Sequence, residues 1–116
     1  MNAETAIAEV ERWAQCPLPT IYRQLLPGFR DAIIGEQVHL YPLDIVVERN
    51  ETYQTRVYCP GHITIGDDSG GRAVVISLID PECHVFLVGH GSMAADDFVP
   101  LNMTLRQWLD AECPVE

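Results

Sequence analysis

Apolar side chains recur at helical spacing at the start of the chain. In residues 2–15, Ile7 and Val10 lie three residues apart and an aromatic residue follows at the same spacing, so one side of a helix would be apolar. Asn2 is a favourable N-cap residue. Pro17 should end the helix, because the residue before a proline avoids helical dihedral angles. The pattern predicts a first helix over residues 2–15.

The following segment contains shorter and weaker patterns. Residues 18–28 carry an apolar stripe at helical spacing and end in Pro-Gly, which favours a short second helix. Residues 32–41 alternate apolar and polar side chains and are expected to form a strand. The pattern is weakest between residues 43 and 57, where a short helix that begins at Pro42 and fades at Asn50 is the preferred interpretation.

Three segments in the second half of the chain have the composition of strands. They are residues 62–66, 72–79 and 84–89, and the turn sequences Asp-Asp-Ser-Gly-Gly and Asp-Pro-Glu separate them. Such short connections predict an antiparallel meander. The middle segment is apolar at nearly every position, which indicates that both faces of this strand are covered.

A capping box marks the start of the last predicted helix, over residues 104–112. Thr104 is followed by Gln107 three residues later, and Leu105 and Trp108 place apolar side chains on one face. Together these elements predict an α+β fold with two N-terminal helices, an antiparallel β-meander sheet and a C-terminal helix packed on it. A length of 116 residues suits one domain over residues 1–116.

The charge of the chain restricts the partners that it could bind. Seventeen acidic residues face seven arginines, there is no lysine, and the formal net charge is −10. Residues 59–116 hold nine of the acidic residues and two of the arginines. Nucleic acids and anionic membranes attract cationic surfaces, so neither is an expected partner, whereas a basic protein is. The alternative interpretation is that the acidity only keeps the protein soluble.

Further features favour a soluble cytoplasmic protein. The chain has no run of about 18 apolar residues, which a membrane-spanning helix would need. Its first residues are acidic where a secretory signal would be basic. Without a signal, four reduced thiols are expected, at Cys16, Cys59, Cys83 and Cys113.

Two cysteines have histidine neighbours and could in principle hold zinc. Cys59 with His62 and Cys83 with His84 would supply the ligand types of a tetrahedral site. The spacing within each pair is unlike that of zinc fingers. We therefore predict neither a metal nor any other cofactor.

Three segments imitate nucleotide-binding or catalytic motifs. Residues 66–73 have the glycine spacing of a P-loop, but Arg72 stands where its lysine is required. Residues 89–94 imitate a dinucleotide fingerprint, but too little chain follows for the second strand of that fold. Ser92 near His90 could be a hydrolase nucleophile with its base, although the flanking residues differ from a nucleophile elbow.

A larger pattern extends over residues 13–112. A Leu-Pro pair opens the second helix, a strand enters an Ile-Gly-Asp-Asp-x-Gly-Gly turn, and an amphipathic helix closes the chain. This arrangement resembles the SUKH superfamily, the Smi/Knr-like family of cell-wall regulators and bacterial immunity proteins. The residues that carry the resemblance are Leu18, Pro19, Ile65, Gly66, Gly70, Gly71 and Trp108. The chain departs from the family at Leu105, where a phenylalanine is common.

The residues of this turn are interpreted as a fold signature and not as a catalytic site. We expect Gly66, Gly70 and Gly71 to permit positive φ angles in a tight turn. Asp67 is expected to cap exposed N–H groups of the same turn.

The resemblance implies a non-enzymatic binding protein and favours a bacterial immunity protein that neutralises a cognate polymorphic toxin, often a nuclease. Acidic side chains in the loops of the meander would then meet arginine and lysine on a basic toxin domain. These acids are Asp67, Asp68, Asp80, Glu82, Asp96 and Asp97. A regulatory module that binds a housekeeping protein is the alternative, and a small hydrolase is a more distant one. A neighbouring gene for a large toxin would distinguish the first function from the second.

Overall fold

The computed structural model describes residues 3–30 and 33–115, and a six-stranded antiparallel sheet forms its centre. The strands follow one another across the sheet in chain order. They are β1 (Ile33–Ile34), β2 (Val38–Leu40), β3 (His62–Asp67), β4 (Arg72–Ser77), β5 (His84–Gly89) and β6 (Val99–Thr104). The predicted α+β class and antiparallel meander are confirmed.

The described residues also form five α-helices. These are α1 (Ala3–Ala14), α2 (Thr20–Leu25), α3 (Val46–Tyr53), α4 (Thr55–Tyr58) and α5 (Leu105–Asp110). The predicted capping box opens α5, because Gln107 N donates to Thr104 Oγ1 over 3.3 Å and Thr104 N donates to Gln107 Oε1 over 3.0 Å. Among the described residues, no helix has both the length and the apolar character needed to cross a membrane.

The main hydrophobic core lies on one face of the sheet. Alternate residues of the central strands, such as Val74 and Ile76 of β4, pack there with side chains of α1, α2 and α5. Trp108 is fully buried in this core, and its indole Nε1 donates to Pro114 O over 2.7 Å. The Leu-Pro pair before α2 is buried too, and Leu18 N donates to Glu11 Oε2 over 2.8 Å.

A smaller cluster covers part of the opposite face. Ala73 and Val75 of β4 and Val88 of β5 pack there with Cys59 and Met93. Residues 73–76 of β4 are all buried, so the prediction that the middle strand is covered on both faces is confirmed. With five buried residues, this second cluster is much smaller than the main core.

Asn50 of α3 completes the edge of β3 where β2 is too short to reach. β2 ends at Leu40, so the backbone polar groups of Thr64 have no strand beside them on that side. The buried amide of Asn50 takes that place: Thr64 N donates to Asn50 Oδ1 over 2.7 Å, and Asn50 Nδ2 donates to Thr64 O over 2.8 Å. One side chain thus satisfies two buried backbone groups and fixes α3 against the sheet.

The predicted single strand over residues 32–41 is wrong. β1 and β2 are instead the two arms of a hairpin, with Ile34 paired to Val38. Gly35 makes the turn with φ of 63°, and a Cβ there would lie 2.2 Å from the carbonyl oxygen of Glu112. Ala32, in the predicted strand, and Asn2, the predicted N-cap, lie outside the described residues.

The helix predicted to begin at Pro42 begins at Val46 and continues past Asn50. Gln54 then adopts a left-handed conformation with φ of 54°, which ends α3 and starts the separate helix α4. The boundary was hidden because glutamine rarely marks such a position. β4 also ends earlier than predicted, at Ser77.

The sequence pattern gives no strand at β6, which contains Pro100 and an asparagine, Asn102, with φ of 61°. Both residues argue against a strand, but β6 is an edge strand, where a proline need not donate to a neighbour. Its pairing with β5 is irregular between His84 and Phe86. Such irregularity discourages pairing with a further strand.

The expected positive φ angles in the β3–β4 turn are found at one of the three glycines. Gly71 has a positive φ of 100°, and Ser69 also adopts one, of 61°. Gly66 and Gly70 do not, so that expectation is wrong for both. Gly66 is required by close packing instead, because a Cβ there would lie 2.4 Å from the carbonyl oxygen of His39 in β2.

We predict that Asn50→Leu lowers the free energy of unfolding by about 3 kcal/mol, because two buried backbone groups of Thr64 lose their partners. Urea denaturation followed by circular dichroism measures this loss. Gln24→Leu, which removes an exposed amide from α2, is the control and should change stability little. Equal stability of Asn50→Leu and the wild type would contradict the role assigned to Asn50.

Candidate functional site

The six predicted partner-binding acids lie at both ends of the sheet and do not form one surface. Residues 67–71 and 90–98 meet at one end, because His90 N donates to Gly71 O over 2.8 Å. Residues 78–83 lie at the other end, beyond β4 and β5, which each span six residues or about 20 Å. We call the first the acidic end (residues 67–71 and 90–98); it holds Asp67, Asp68, Asp96 and Asp97.

Asp68 is a structural residue of the β3–β4 turn. Its side chain is 2% exposed and accepts from Gly70 N over 2.8 Å, Arg72 N over 3.0 Å and Arg72 Nε over 2.7 Å. Burial alone would raise the pKa of this carboxyl, but the hydrogen bonds and the guanidinium of Arg72 outweigh burial and hold the pKa below its usual range. Asp68 therefore presents almost none of its carboxylate at the surface.

Asp67 is half-buried and joins the turn to an internal cluster. Its Oδ1 accepts from Ser69 N over 2.9 Å, which confirms the expected cap. Its Oδ2 accepts from the hydroxyl of Tyr41 over 2.8 Å. Both oxygens therefore have structural partners, so Asp67 offers a partner protein less than its sequence position suggests.

Asp80 organises the β4–β5 turn in a similar way. It accepts from Glu82 N over 3.0 Å and from His84 N over 2.8 Å, and its Oδ2 also lies 2.8 Å from His84 Nδ1. Burial would raise its pKa, but these hydrogen bonds and the nearby imidazole lower it overall. Glu82, beside it, is exposed.

Asp96 and Asp97 take less part in hydrogen bonds within the protein than Asp67, Asp68 and Asp80 do. They lie in a single 3-10 turn, Ala95–Asp97, and both are exposed. Asp97 accepts a short hydrogen bond from the Ser92 hydroxyl. Asp96 makes no hydrogen bond or ion pair with any other residue in the described ranges. Their carboxylates are available to a partner.

A cluster of rings that the sequence pattern did not reveal supports the acidic end. The imidazole of His90 stacks on Tyr53 of α3 with ring centroids 4.2 Å apart, and the guanidinium of Arg49 lies 5.6 Å from the centroid of Tyr53. Burial and Arg49 lower the pKa of His90 against the opposing effect of Asp67 and Asp68. The stack joins the start of the loop that carries Asp96 to α3.

The remaining part of the second sheet face is aromatic and partly exposed. Phe86 alternates with buried Val88 along β5 and pairs with exposed Pro100 of β6. Phe98 packs at 5.5 Å and 30° on Phe86, and His62 contacts Phe98 edge-on at 5.1 Å. All three rings are half-buried. We call this surface the open face; it consists of His62, His84, Phe86, Phe98 and Pro100.

Sequence reasoning did not identify the open face as a candidate site, although a signal was present. The side chains of His84, Phe86 and Val88 lie on the same side of β5, and they become more exposed from Val88 to His84. Phe98 could not be placed because β6 was not predicted. The open face lies between the two groups of acids, with Asp97 before Phe98 at one margin and Asp80 bonded to His84 at the other.

The geometry bears on two alternatives raised by the sequence. Ser92 Oγ donates to Asp97 and accepts from Ala94 N over 3.2 Å, so its hydroxyl proton is not directed at His90. Cys59 lies in the second cluster and Cys83 in the main core, on opposite faces of the sheet. These two thiols cannot converge on one zinc ion.

Among the described residues all four cysteines are free, and three of them are buried. Burial raises the pKa of Cys59 and of Cys113 to about 11, and it also raises the pKa of Cys83. Because the thiolate is the reactive form, these three thiols are protected both by packing and by protonation.

A comparison of the sequence with protein-family models gives no match. A comparison with curated proteins likewise gives no significant match.

We predict that Asp68→Asn lowers stability at neutral pH by about 2 kcal/mol, because the buried ion pair of Oδ2 with Arg72 is lost and the two hydrogen bonds to Oδ1 lose their charged acceptor. Since folding depresses the pKa of Asp68, its stabilisation is present above about pH 4 and is lost as the pH falls through the folded-state pKa. The variant should therefore lose less stability than the wild type between about pH 5 and pH 2. Asp96→Asn is the control, and identical pH profiles of Asp68→Asn and the wild type would contradict the assignment.

We expect one thiol to react rapidly with an aromatic disulfide reagent in the native protein and all four to react after denaturation. Cys16 is the partly exposed thiol, whereas Cys59, Cys83 and Cys113 are buried. Cys16→Ser should abolish the rapid phase and leave the slow ones unchanged. Rapid labelling of a second thiol in the native wild type would show that one of the buried cysteines is accessible.

Proposed function

We propose that this chain is a non-enzymatic protein-binding domain, a bacterial immunity protein that neutralises a cognate polymorphic toxin by direct binding in the cytoplasm. The observation that carries the proposal is the position of Asp96 and Asp97. Both carboxylates are exposed at the margin of the open face. A basic protein domain is the partner that such a margin suits.

The open face and its acidic margins have the organisation of a protein interface. Aromatic side chains at the centre supply contact area that excludes water, and charges at the rim select the partner and accelerate its approach. Phe86 and Phe98 occupy the centre here, and Asp96, Asp97 and Glu82 lie toward the margins. A partner would need apolar contact groups flanked by cations.

The charge of the whole chain supports the same kind of partner. A net charge of −10 would draw a basic toxin toward the protein over distances comparable with the Debye length, roughly 8 Å at physiological salt. The resemblance to the SUKH superfamily favours an immunity protein over a regulatory module. Toxin neutralisation by occlusion needs no catalytic group on this chain.

We predict that Asp96→Arg/Asp97→Arg weakens binding to the cognate basic toxin domain by at least roughly tenfold at low salt. The measurement is isothermal titration calorimetry at two salt concentrations, beside thermal unfolding of the same variant. The loss should shrink as salt rises, because salt screens exposed charges. The melting temperature should change little, since neither side chain is buried.

Glu4→Arg/Glu9→Arg is the matched control, because it makes the same change of charge on exposed positions of α1. This helix packs on the main-core side of the sheet, away from the open face. Equal losses of affinity in the two double variants would mean that net charge alone matters. Unchanged affinity in Asp96→Arg/Asp97→Arg would place the interface elsewhere, and a neighbouring gene that encodes no toxin would favour the regulatory module.

A further inference from the structure

We propose that the open face receives an arginine side chain of the partner, and that Phe98 selects arginine over lysine. This inference rests on the proposed function and narrows it to the chemistry of one contact. The inference depends on the aromatic rings of Phe86 and Phe98 together with the carboxylate of Asp96, and not on the acidic residues alone.

The rings of the open face form a small platform. Phe98 is stacked on Phe86 with centroids 5.5 Å apart, and His62 meets it at 87°. His62 Nδ1 is itself held 3.1 Å from Pro60 O, so this ring has a fixed position at the edge of the platform. Below them Val75, the β4 partner of Phe86, is fully buried. The platform is therefore supported from beneath, and its rings are partly exposed.

Asp96 is close to Phe98 along the chain. It lies two residues before Phe98, and Phe98 N donates to Ala95 O, which closes the 3-10 turn Ala95–Asp97. A guanidinium can lie flat on an aromatic ring and still direct N–H groups in its plane toward a carboxylate. A lysine ammonium is more strongly hydrated and has no planar surface to stack.

The chain uses the same combination internally. Arg49 lies 5.6 Å from the centroid of Tyr53 and donates to the Glu48 carboxylate over 2.7 Å. Ring, guanidinium and carboxylate thus already form one unit on α3. On the open face the ring and the carboxylate are present, and no arginine of the described chain stacks on Phe86 or Phe98. A cation is therefore the one component of this unit that a partner would have to supply, and the acidic margins attract cations.

The experiment uses two peptides of equal charge, four Gly-Arg repeats and four Gly-Lys repeats, titrated into the full chain labelled with ¹⁵N. The expected result is that the arginine peptide binds about fivefold more tightly than the lysine peptide. Its largest chemical-shift changes should fall on residues 96–100 and on His62.

Three variants distinguish stacking on the Phe98 ring from attraction to the carboxylates of Asp96 and Asp97. Phe98→Leu should remove the preference for arginine while leaving lysine-peptide affinity unchanged. Asp96→Asn/Asp97→Asn should weaken the binding of both peptides. Tyr58→Leu, which changes an exposed ring of α4 outside the platform, should leave the preference intact.

The outcomes distinguish this inference from the proposed function. Equal affinity of the wild type for both peptides, a preference that survives Phe98→Leu, or no binding of either peptide at millimolar concentration would each overturn the arginine platform. The proposed function is tested separately, with the toxin domain and the charge-reversal variant. Loss of toxin binding in Asp96→Arg/Asp97→Arg together with equal peptide affinities would retain the acidic interface and reject Phe98 as its selector.

Discussion

Burial of β4 on both faces is the constraint on which the rest of this structure depends. Residues 73–76 of this strand are fully buried, with Val74 and Ile76 directed to one side and Ala73 and Val75 to the other. A strand of this kind needs covering elements on both faces of its sheet. On the main-core side α1, α2 and α5 pack against the sheet together with Val46 of α3. On the other side Tyr53, Cys59 and Met93 cover one part, and the open face is the rest of that side.

Because α3 packs where the sheet edge is short, buried polar groups of β3 need hydrogen-bond partners from side chains. The amide of Asn50 replaces the missing strand beside Thr64, and the hydroxyls of Thr55 and Thr64 meet at 3.1 Å. Next to them Tyr41 donates to Asp67, and Tyr53 stacks on His90. These contacts fix the loop that carries Asp96 to the sheet, so the exposed carboxylates project from a structured base. A fixed base lowers the ordering cost of binding.

The sequence predicted elements whose signals are local. The meander of β3, β4 and β5 followed from apolar runs separated by strong turn sequences, and the start of α5 followed from Thr104 and Gln107. The elements that were missed depend on tertiary context. Pro100 is tolerated in β6 because that strand is an edge, and Gln54 adopts a left-handed conformation because two helices must be separated there. Gly66 is required by the approach of β2, which no local pattern records.

The charged residues of the candidate site could likewise be only partly predicted from the sequence. The sequence pattern identified a structural role only for Asp67 among the six loop acids, but hydrogen bonding gives such a role to Asp68 and Asp80 as well. Asp67, Asp68 and Asp80 accept from backbone N–H groups of their own turns, so replacing any of them changes the fold as well as the surface. Asp96 has no such bond among the described residues. Replacing an acid of the first group lowers stability whatever the partner, whereas Asp96 can be replaced with little effect on the fold. Under the proposed function, specificity for the partner would therefore depend on Asp96, Asp97 and Phe98 more than on the turn acids.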